Sequence, residues 1–261
     1  MSVEIQQLSY HYPDGTCALM EITLNLPAGK RIAVLGINGS GKTTLLYHLN
    51  GTLLPQQGKV TVLGEPVQKN NLKNLRKKVG FLFDYPDHQL FATTIARDVA
   101  FGPRNLQLGE EEIHKRVREA LDNAGLRKLS EKPPYQLSYG QKKRTAIAGV
   151  TAMEPDLIVC DEPFAGLDPY AQKQFQLLLN QWVSTGKSLI FSTHDMELAY
   201  AWADETVLMS ENRVLAYGPT VKILQDQSLM NQARLPRPIL AQLFENQTEK
   251  PRSIEEALKK L

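Results

Sequence analysis

Eight residues, Gly36 to Thr43, read GINGSGKT and fit the pattern G-x-x-x-x-G-K-[ST]. Glycines let such a loop wrap so that backbone N–H groups point at phosphate oxygens, at the positive end of the helix that follows. Lys42 then reaches the β- and γ-phosphates of a nucleotide, and the Thr43 hydroxyl holds Mg2+. A plain glycine-rich turn is the competing reading. Further on, DLIVCDEP runs four apolar residues, Leu157 to Cys160, into Asp161 and Glu162. At the C-terminal end of a strand, Asp161 suits a Mg2+ shell and Glu162 can polarise an attacking water. Alone this pair would read as a solvated loop; with the phosphate loop upstream, chemistry is the better reading. In LSYGQKKR, Leu137 to Arg144, Ser138 and Gly140 can open a helix and present free N–H groups to an anion, or simply cap a surface helix with a basic side. FLFDYPDHQLF, Phe81 to Phe91, offers Asp84, Asp87 and His88 either as metal ligands or as the polar lining of a loop.

These residues need strands and helices to position them. RIAVLG, Arg31 to Gly36, is a short apolar run ending in glycine, as a buried parallel strand does before its crossover. KTTLLYHLN has helical character and stops at Asn50-Gly51, a left-handed cap. PDLIVCDEP and SLIFSTHD are two more buried-strand candidates, each followed by helix-like sequence. VEIQQLSYHY and ALMEITLNL alternate as strands around a Pro13–Gly15 turn, and KVTVLG returns to strand period. From Gly109 to Gly125, apolar Ile113, Val117, Ala120, Leu121 and Ala124 fall at helical spacing, with acids in the first turn. Strands alternating with helices imply a mostly parallel sheet with crossovers. In the tail, Ser253 and Glu256 fit a capping box that starts a short terminal helix. The basic run NNLKNLRKKVG reads as a solvated helix face.

Of the 261 residues, 42% are hydrophobic and 22% charged, enough apolar surface for a sizeable core. A net charge of +2 argues against a nucleic-acid partner, whose basic excess would show. Cys17 and Cys160 form no partner pattern and no secretory leader opens the chain, so a reducing cytoplasm is expected. No apolar run approaches the roughly 20 residues of a membrane helix. If the protein works at a membrane, another chain does the spanning.

The order phosphate loop, then L-S-x-G-Q, then Asp161-Glu162, then His194 in FSTHD strongly resembles the nucleotide-binding domain of ABC ATPases, over about Val3 to Gly218. The resemblance implies a P-loop NTPase fold of α/β class, with a mixed, mostly parallel sheet, an N-terminal antiparallel β subdomain and a helical subdomain. It implies ATP and Mg2+. Tyr12 matches the aromatic residue that stacks on adenine. Gly36, Asn38, Gly39, Ser40, Gly41, Lys42 and Thr43, with the adjoining Thr44, match the Walker A loop. Asp161 and Glu162 match Walker B and the catalytic glutamate, and His194 matches the switch histidine at the γ-phosphate. Ser138, Gly140 and Gln141 match the signature, which in this family contacts ATP held by a partner subunit; Ala165 to Asp168 match the D-loop along the dimer seam. Two subunits then sandwich two ATP molecules.

PDHQLFATTIARDVAFGP and QKKRTAIAGVTAMEPD look like the ATPase subunits of energy-coupling factor (ECF) transporters, particularly the cobalt and nickel type. The stretch between Thr43 and Leu137 has room for a helical subdomain and not for a long coiled coil. The resemblance implies a second ABC ATPase subunit, identical or not, a transmembrane coupling protein and a small membrane protein that captures the substrate, a divalent metal ion or a vitamin. It places the chain at the cytoplasmic face of the membrane. Residues 1–235 would be the nucleotide-binding domain, with the helical subdomain at about 90–150. Residues 236–261, with LPRPILAQLF, would be a helical extension that helps pair the ATPases. Leu90, Phe91 and Phe101 are expected either to anchor a partner helix or to pack the helical subdomain. FDYP aligns with the family's F-Q-x-P hinge, with Asp84 where a glutamine is usual, and this makes Asp84 a catalytic candidate and a further candidate Mg2+ ligand. Asp87 and His88 receive no ligand role from the resemblance. A soluble ABC ATPase acting on a protein or cofactor-assembly complex is the alternative.

Overall fold

The computed structural model describes residues 2–247 and 249–259. Among them lie strands β1 (Val3–His11), β2 (Cys17–Leu26), β3 (Arg31–Leu35), β4 (Gln57–Val62), β5 (Glu65–Pro66), β6 (Val79–Leu82), β7 (Leu157–Cys160), β8 (Ser188–Thr193), β9 (Glu205–Ser210) and β10 (Arg213–Pro219). The helices are α1 (Lys42–Leu49), α2 (Leu72–Lys78), α3 (Ile95–Asn105), α4 (Glu110–Asn123), α5 (Tyr139–Thr151), α6 (Pro169–Ser184) and α7 (Met196–Trp202). Four short ones follow: α8 (Thr220–Gln225), α9 (Gln227–Gln232), α10 (Ile239–Leu243) and α11 (Ile254–Leu258).

The strands form two sheets, one ordered β2-β1-β4-β5 and antiparallel, the other β10-β9-β3-β8-β7-β6. In the second, every pairing is parallel except β9 with β10. The expected α/β fold, with its mostly parallel sheet and separate antiparallel β layer, is the one observed. Both faces of the parallel sheet are covered, which is why its strands read as unbroken apolar runs. In β3, Ile32 and Val34 enter the core shared with α1 and the antiparallel sheet, while Ala33 and Leu35 enter the core beneath α6 and α7. In β7, Leu157 and Val159 part from Ile158 and Cys160 in the same way. A third core joins α3, α4 and α5 through Ile95, Val99, Leu121 and Ala148.

The loose alternation of β1 has a local cause. Val3 and Ile5 are buried, then Leu8 and Tyr10, so the inward parity switches once. Between them Gln7 adopts φ 52° and the register with β2 shifts, a bulge that turns every later side chain over. On α4, Ile113, Ala120 and Leu121 face the core as the spacing predicts. The tail helix departs in detail: Ser253 caps Glu256 N–H, but the Glu256 carboxylate accepts from Arg252 N–H, one residue before the expected partner. The expected helix there runs on to Lys260 and Leu261, which lie outside the described residues. The basic run is not all solvated, since Leu75 is fully buried and Arg76 donates to the carbonyls of Asn50 and Gly51.

Candidate active site

The loop from Gly36 to Gly41 leaves the buried end of β3 and enters α1 without a side-chain cap. Its first helical N–H groups are therefore open to an anion. Gly41 has φ 97°, and a Cβ there would lie 2.5 Å from the Ala18 carbonyl oxygen, so no other residue fits. Lys42 folds back over the loop, its Nζ donating to the carbonyls of Gly36 at 2.8 Å and Ile37 at 3.2 Å. Burial lowers the Lys42 pKa, opposed by the charges of Glu162 and Asp161. The Ser40 hydroxyl is buried without a hydrogen-bond partner among the described residues, a donor facing into the loop. Tyr12, at the end of the antiparallel sheet, hydrogen-bonds through its hydroxyl to that of Thr44 at 3.0 Å.

β7 and β8 lie side by side and deliver the acidic residues. Asp161 is buried and accepts from the Ser192 hydroxyl at 2.5 Å. The same Ser192 oxygen accepts from the Glu162 N–H at 2.8 Å. Glu162 holds a left-handed backbone, φ 43°, uncommon for a residue with a side chain. Its carboxylate oxygens stand 3.1 and 3.2 Å from His194 Nδ1, and His194 is largely exposed. From the other side, Lys143 of α5 donates to the carbonyls of Glu162 at 2.9 Å and Pro163 at 3.0 Å.

A cleft of about 400 Å3 gathers Tyr12, Asn38, Gly39, Gly41, Lys42, Thr43, Thr44, Asp161 and Glu162. Its hydroxyl and carboxylate donors, Thr43 and Asp161, form the hard oxygen set that suits Mg2+. Sequence reasoning named all of these but gave no site role to Thr16, Cys17, Ala18 and Asn212, which line the same cleft. It also gave no role to Ser192 or Lys143, though both lie inside quoted motifs. Nothing in residue type or spacing separates them from an ordinary strand serine and a solvated lysine.

Ser138, Gly140, Gln141 and Asp168 do not line the cleft. Ser138 and Gln141 form a complete capping box at the start of α5, Gly140 packs near Leu167 and Ala171, and exposed Asp168 caps α6. Asp84 lies in a neighbouring recess with Tyr85, Tyr139, Glu162 and Gly166, its carboxylate accepting from Tyr85 N–H at 2.8 Å. The 84–89 stretch, the hinge expected from sequence, is fastened to α5: the Tyr139 hydroxyl donates to the Asp84 carbonyl at 3.4 Å, Lys142 pairs with Asp87 at 2.6 Å, and Gln89 Nε2 donates to the Ala146 carbonyl at 3.4 Å. Among the described residues no group of three or more His, Cys, Asp or Glu is placed to hold a metal ion.

Residues 19–165 match the ABC transporter family, and the chain belongs to it. It is 47% identical over 246 residues to the energy-coupling factor transporter ATP-binding protein EcfA of Carboxydothermus hydrogenoformans, covering 94% of this chain and 91% of that one. EcfA of Methanocaldococcus jannaschii is 44% identical over 245 residues, 93% and 88%. Among solved structures, cbiO1 from Clostridium perfringens, part of the ABC transporter complex cbiONQ, superposes with a TM-score of 0.78 at 38% identity, over 93% of this chain and 98% of that one. A cassette solved as a dimer with ADP and Pi gives 0.77 at 26% identity, over 84% and 98%. Within its family the chain falls among the energy-coupling factor ATP-binding subunits, and it is an ATPase.

Proposed function

We propose that this chain is the ATP-hydrolysing subunit of an ECF-type importer, in which two such cassettes close on two ATP molecules and drive uptake of a divalent metal ion, cobalt or nickel, or of a vitamin. The observation that carries this reading is the division of the site. The phosphate loop, Asp161 and Glu162 share one cleft, while Ser138 and Gly140 open a helix outside it. One chain leaves the phosphates open on one side, so a second chain's signature completes the site and hydrolysis depends on closure.

In the closed site the N–H groups of residues 39–43 and the Lys42 ammonium bind the β- and γ-phosphates. Tyr12 stacks on adenine, and Thr43 and Asp161 hold Mg2+, which neutralises charge on the phosphate oxygens when bound. Glu162 orients the attacking water and accepts its proton. His194, already against the Glu162 carboxylate, swings between it and the γ-phosphate. Asp84 lines a recess with Glu162, at the edge of the catalytic groups.

A groove of about 610 Å3 between the sheet and the helical layer supports the membrane partner. Leu90, Phe91 and Phe101 line it, with Phe91 66% and Phe101 49% exposed and their rings 4.7 Å apart. This is a seat for an apolar helix of a transmembrane coupling protein, beside which a small capture protein selects the cargo. No helix among the described residues is long and apolar enough to cross a membrane. The likeness to energy-coupling factor ATP-binding proteins supports a peripheral place on the cytoplasmic face. Ile239, Leu243, Ile254 and Leu258 of the last two helices are exposed and supply an apolar surface for pairing ATPases.

Glu162→Gln should abolish turnover and trap an ATP-bound dimer, measured by light scattering with ATP and Mg2+. A variant that stays monomeric and hydrolyses at the normal rate would sink the roles assigned. Pull-down from detergent-solubilised membranes tests transport: recovery only in soluble complexes would favour a non-transport ABC ATPase.

A further inference from the structure

We infer that Lys143 is a positioning residue for hydrolysis: its ammonium, reaching from the signature helix, fixes the backbone that carries the Glu162 carboxylate of the same chain. Lys143 is wholly buried on α5. Burying an ammonium is costly unless its donors are used, and here they are used on two carbonyls of one turn, those of Glu162 and Pro163. These carbonyls follow the last residue of β7, beyond the sheet ladder; that of Glu162 also accepts from the Ala165 N–H at 3.2 Å, longer than its 2.9 Å bond from Lys143.

Glu162 needs such a clamp. Its left-handed backbone is a conformation that a residue with a side chain keeps only when its surroundings enforce it. Ser192 holds the N–H side of the residue and Lys143 the carbonyl side. With both in place the carboxylate has one direction, toward His194 and the cleft. An apolar residue of equal length at this position would fill the space but free the turn to relax. Burial lowers the Lys143 pKa to about 8, opposed by the nearby charges of Glu162, Asp84 and Asp161, so what holds the ammonium in place is its two carbonyl acceptors. Burial also drives up the pKa of the neighbouring Cys160 thiol. The Tyr139 ring lies 5.5 Å from the ammonium on the same helix.

The placement links two half-sites. Residues Ser138 to Gln141, proposed to meet ATP held by the partner, begin the same helix whose Lys143 aims Glu162 at the chain's own ATP. Signature engagement is thereby reported, within one chain, to its own catalytic carboxylate. This part rests on the closed-dimer reading above; the positioning role does not.

The test uses the full-length chain with K143M, K143R and the E162Q background. Steady-state ATPase rates, binding of a fluorescent ATP analogue, thermal melts and ATP-dependent dimerisation are measured together. K143M should lower kcat about 10- to 100-fold while KM and analogue affinity stay within about twofold, the pattern of a misplaced catalytic group. K143R, which keeps a cation and its donors, should recover to within about threefold of wild type. In the E162Q background, which has no turnover left to lose, the readout is the ATP-bound dimer, and it should still form with K143M because there is no carboxylate left to aim. Normal kcat for K143M, a rise in KM that accounts for the loss, or loss of the ATP-bound dimer when K143M is added to E162Q would overturn the proposal. E162Q measured alone reports separately on the role of Glu162. Should K143M fail to fold, K143Q carries the same test: its amide reaches one carbonyl, so reduced kcat at unchanged KM is expected, and wild-type kcat would overturn it.

Discussion

Ser192→Ala removes one oxygen that does two jobs. The Ser192 hydroxyl donates to the buried Asp161 carboxylate at 2.5 Å and accepts from the Glu162 N–H at 2.8 Å, with no part of Ser192 exposed. A hydrogen bond to a charged group contributes about 1.5–3 kcal/mol, and an orphaned buried N–H costs about 1–3 kcal/mol. The two losses share one site and overlap, so a net destabilisation of about 3 kcal/mol is expected. Urea unfolding followed by the fluorescence of Trp182 and Trp202 reads it directly. At an m-value of about 3 kcal/mol/M the midpoint should fall by about 1 M with m unchanged. Turnover should fall as well, because the backbone of Glu162 loses its N–H anchor. A midpoint within about 0.2 M of wild type, with kcat unchanged, would refute the bridging role.

Other outcomes follow from the same geometry. Gly41→Ala places a Cβ against the Ala18 carbonyl and denies the loop its left-handed turn, so nucleotide affinity should fall more than about 10-fold in equilibrium binding. Burial raises the Asp204 pKa, but the hydrogen bonds and charge of Arg31 outweigh it and hold the carboxyl below its usual value. A depressed folded pKa stabilises the fold above the unfolded pKa of about 3.9 and is lost as pH falls through the folded value, so Asp204→Asn should flatten the acid limb of stability against pH. Asp84→Gln removes a negative charge from the recess it shares with Glu162 while leaving the phosphate loop intact. ATP affinity should hold and kcat rise by about fivefold, the equivalent of about 1 kcal/mol of relieved repulsion. Unaltered turnover would remove Asp84 from the catalytic environment.

The parallel sheet and its phosphate loop could be read from sequence because glycine, lysine and short apolar runs have few other uses in that order. RIAVL and LIVC announce burial on both faces, and α4 announces its face through Ile113, Ala120 and Leu121. The bulge at Gln7 hid the parity switch of β1, since glutamine carries no signal for a left-handed φ. Lys143 looked like one cation in a basic run, and only the return of α5 onto the end of β7 turns it inward. Ser192 is one strand residue among many until β7 and β8 lie side by side. Asp84, Asp87 and His88 share a stretch in sequence, yet Asp87 is drawn away to Lys142 while Asp84 bonds the Tyr85 N–H and stays 3.9 Å from His88, a division that spacing alone does not encode.

The fastening of the hinge to α5 makes that helix a lever arm. Tyr139, Lys142 and Ala146 are joined to residues 84–89, and the 13 residues of α5 span roughly 20 Å. A tilt of about 10° at one end displaces the other by about 3.4 Å, more than the length of a hydrogen bond. A rotation too small to open a gap in the groove is thus large enough to make or break hydrogen bonds at the far end of the helix. On the function proposed above, force applied by a helix seated against Phe91 would become a shift at the opposite end of α5, with the gain set by the length of a single helix.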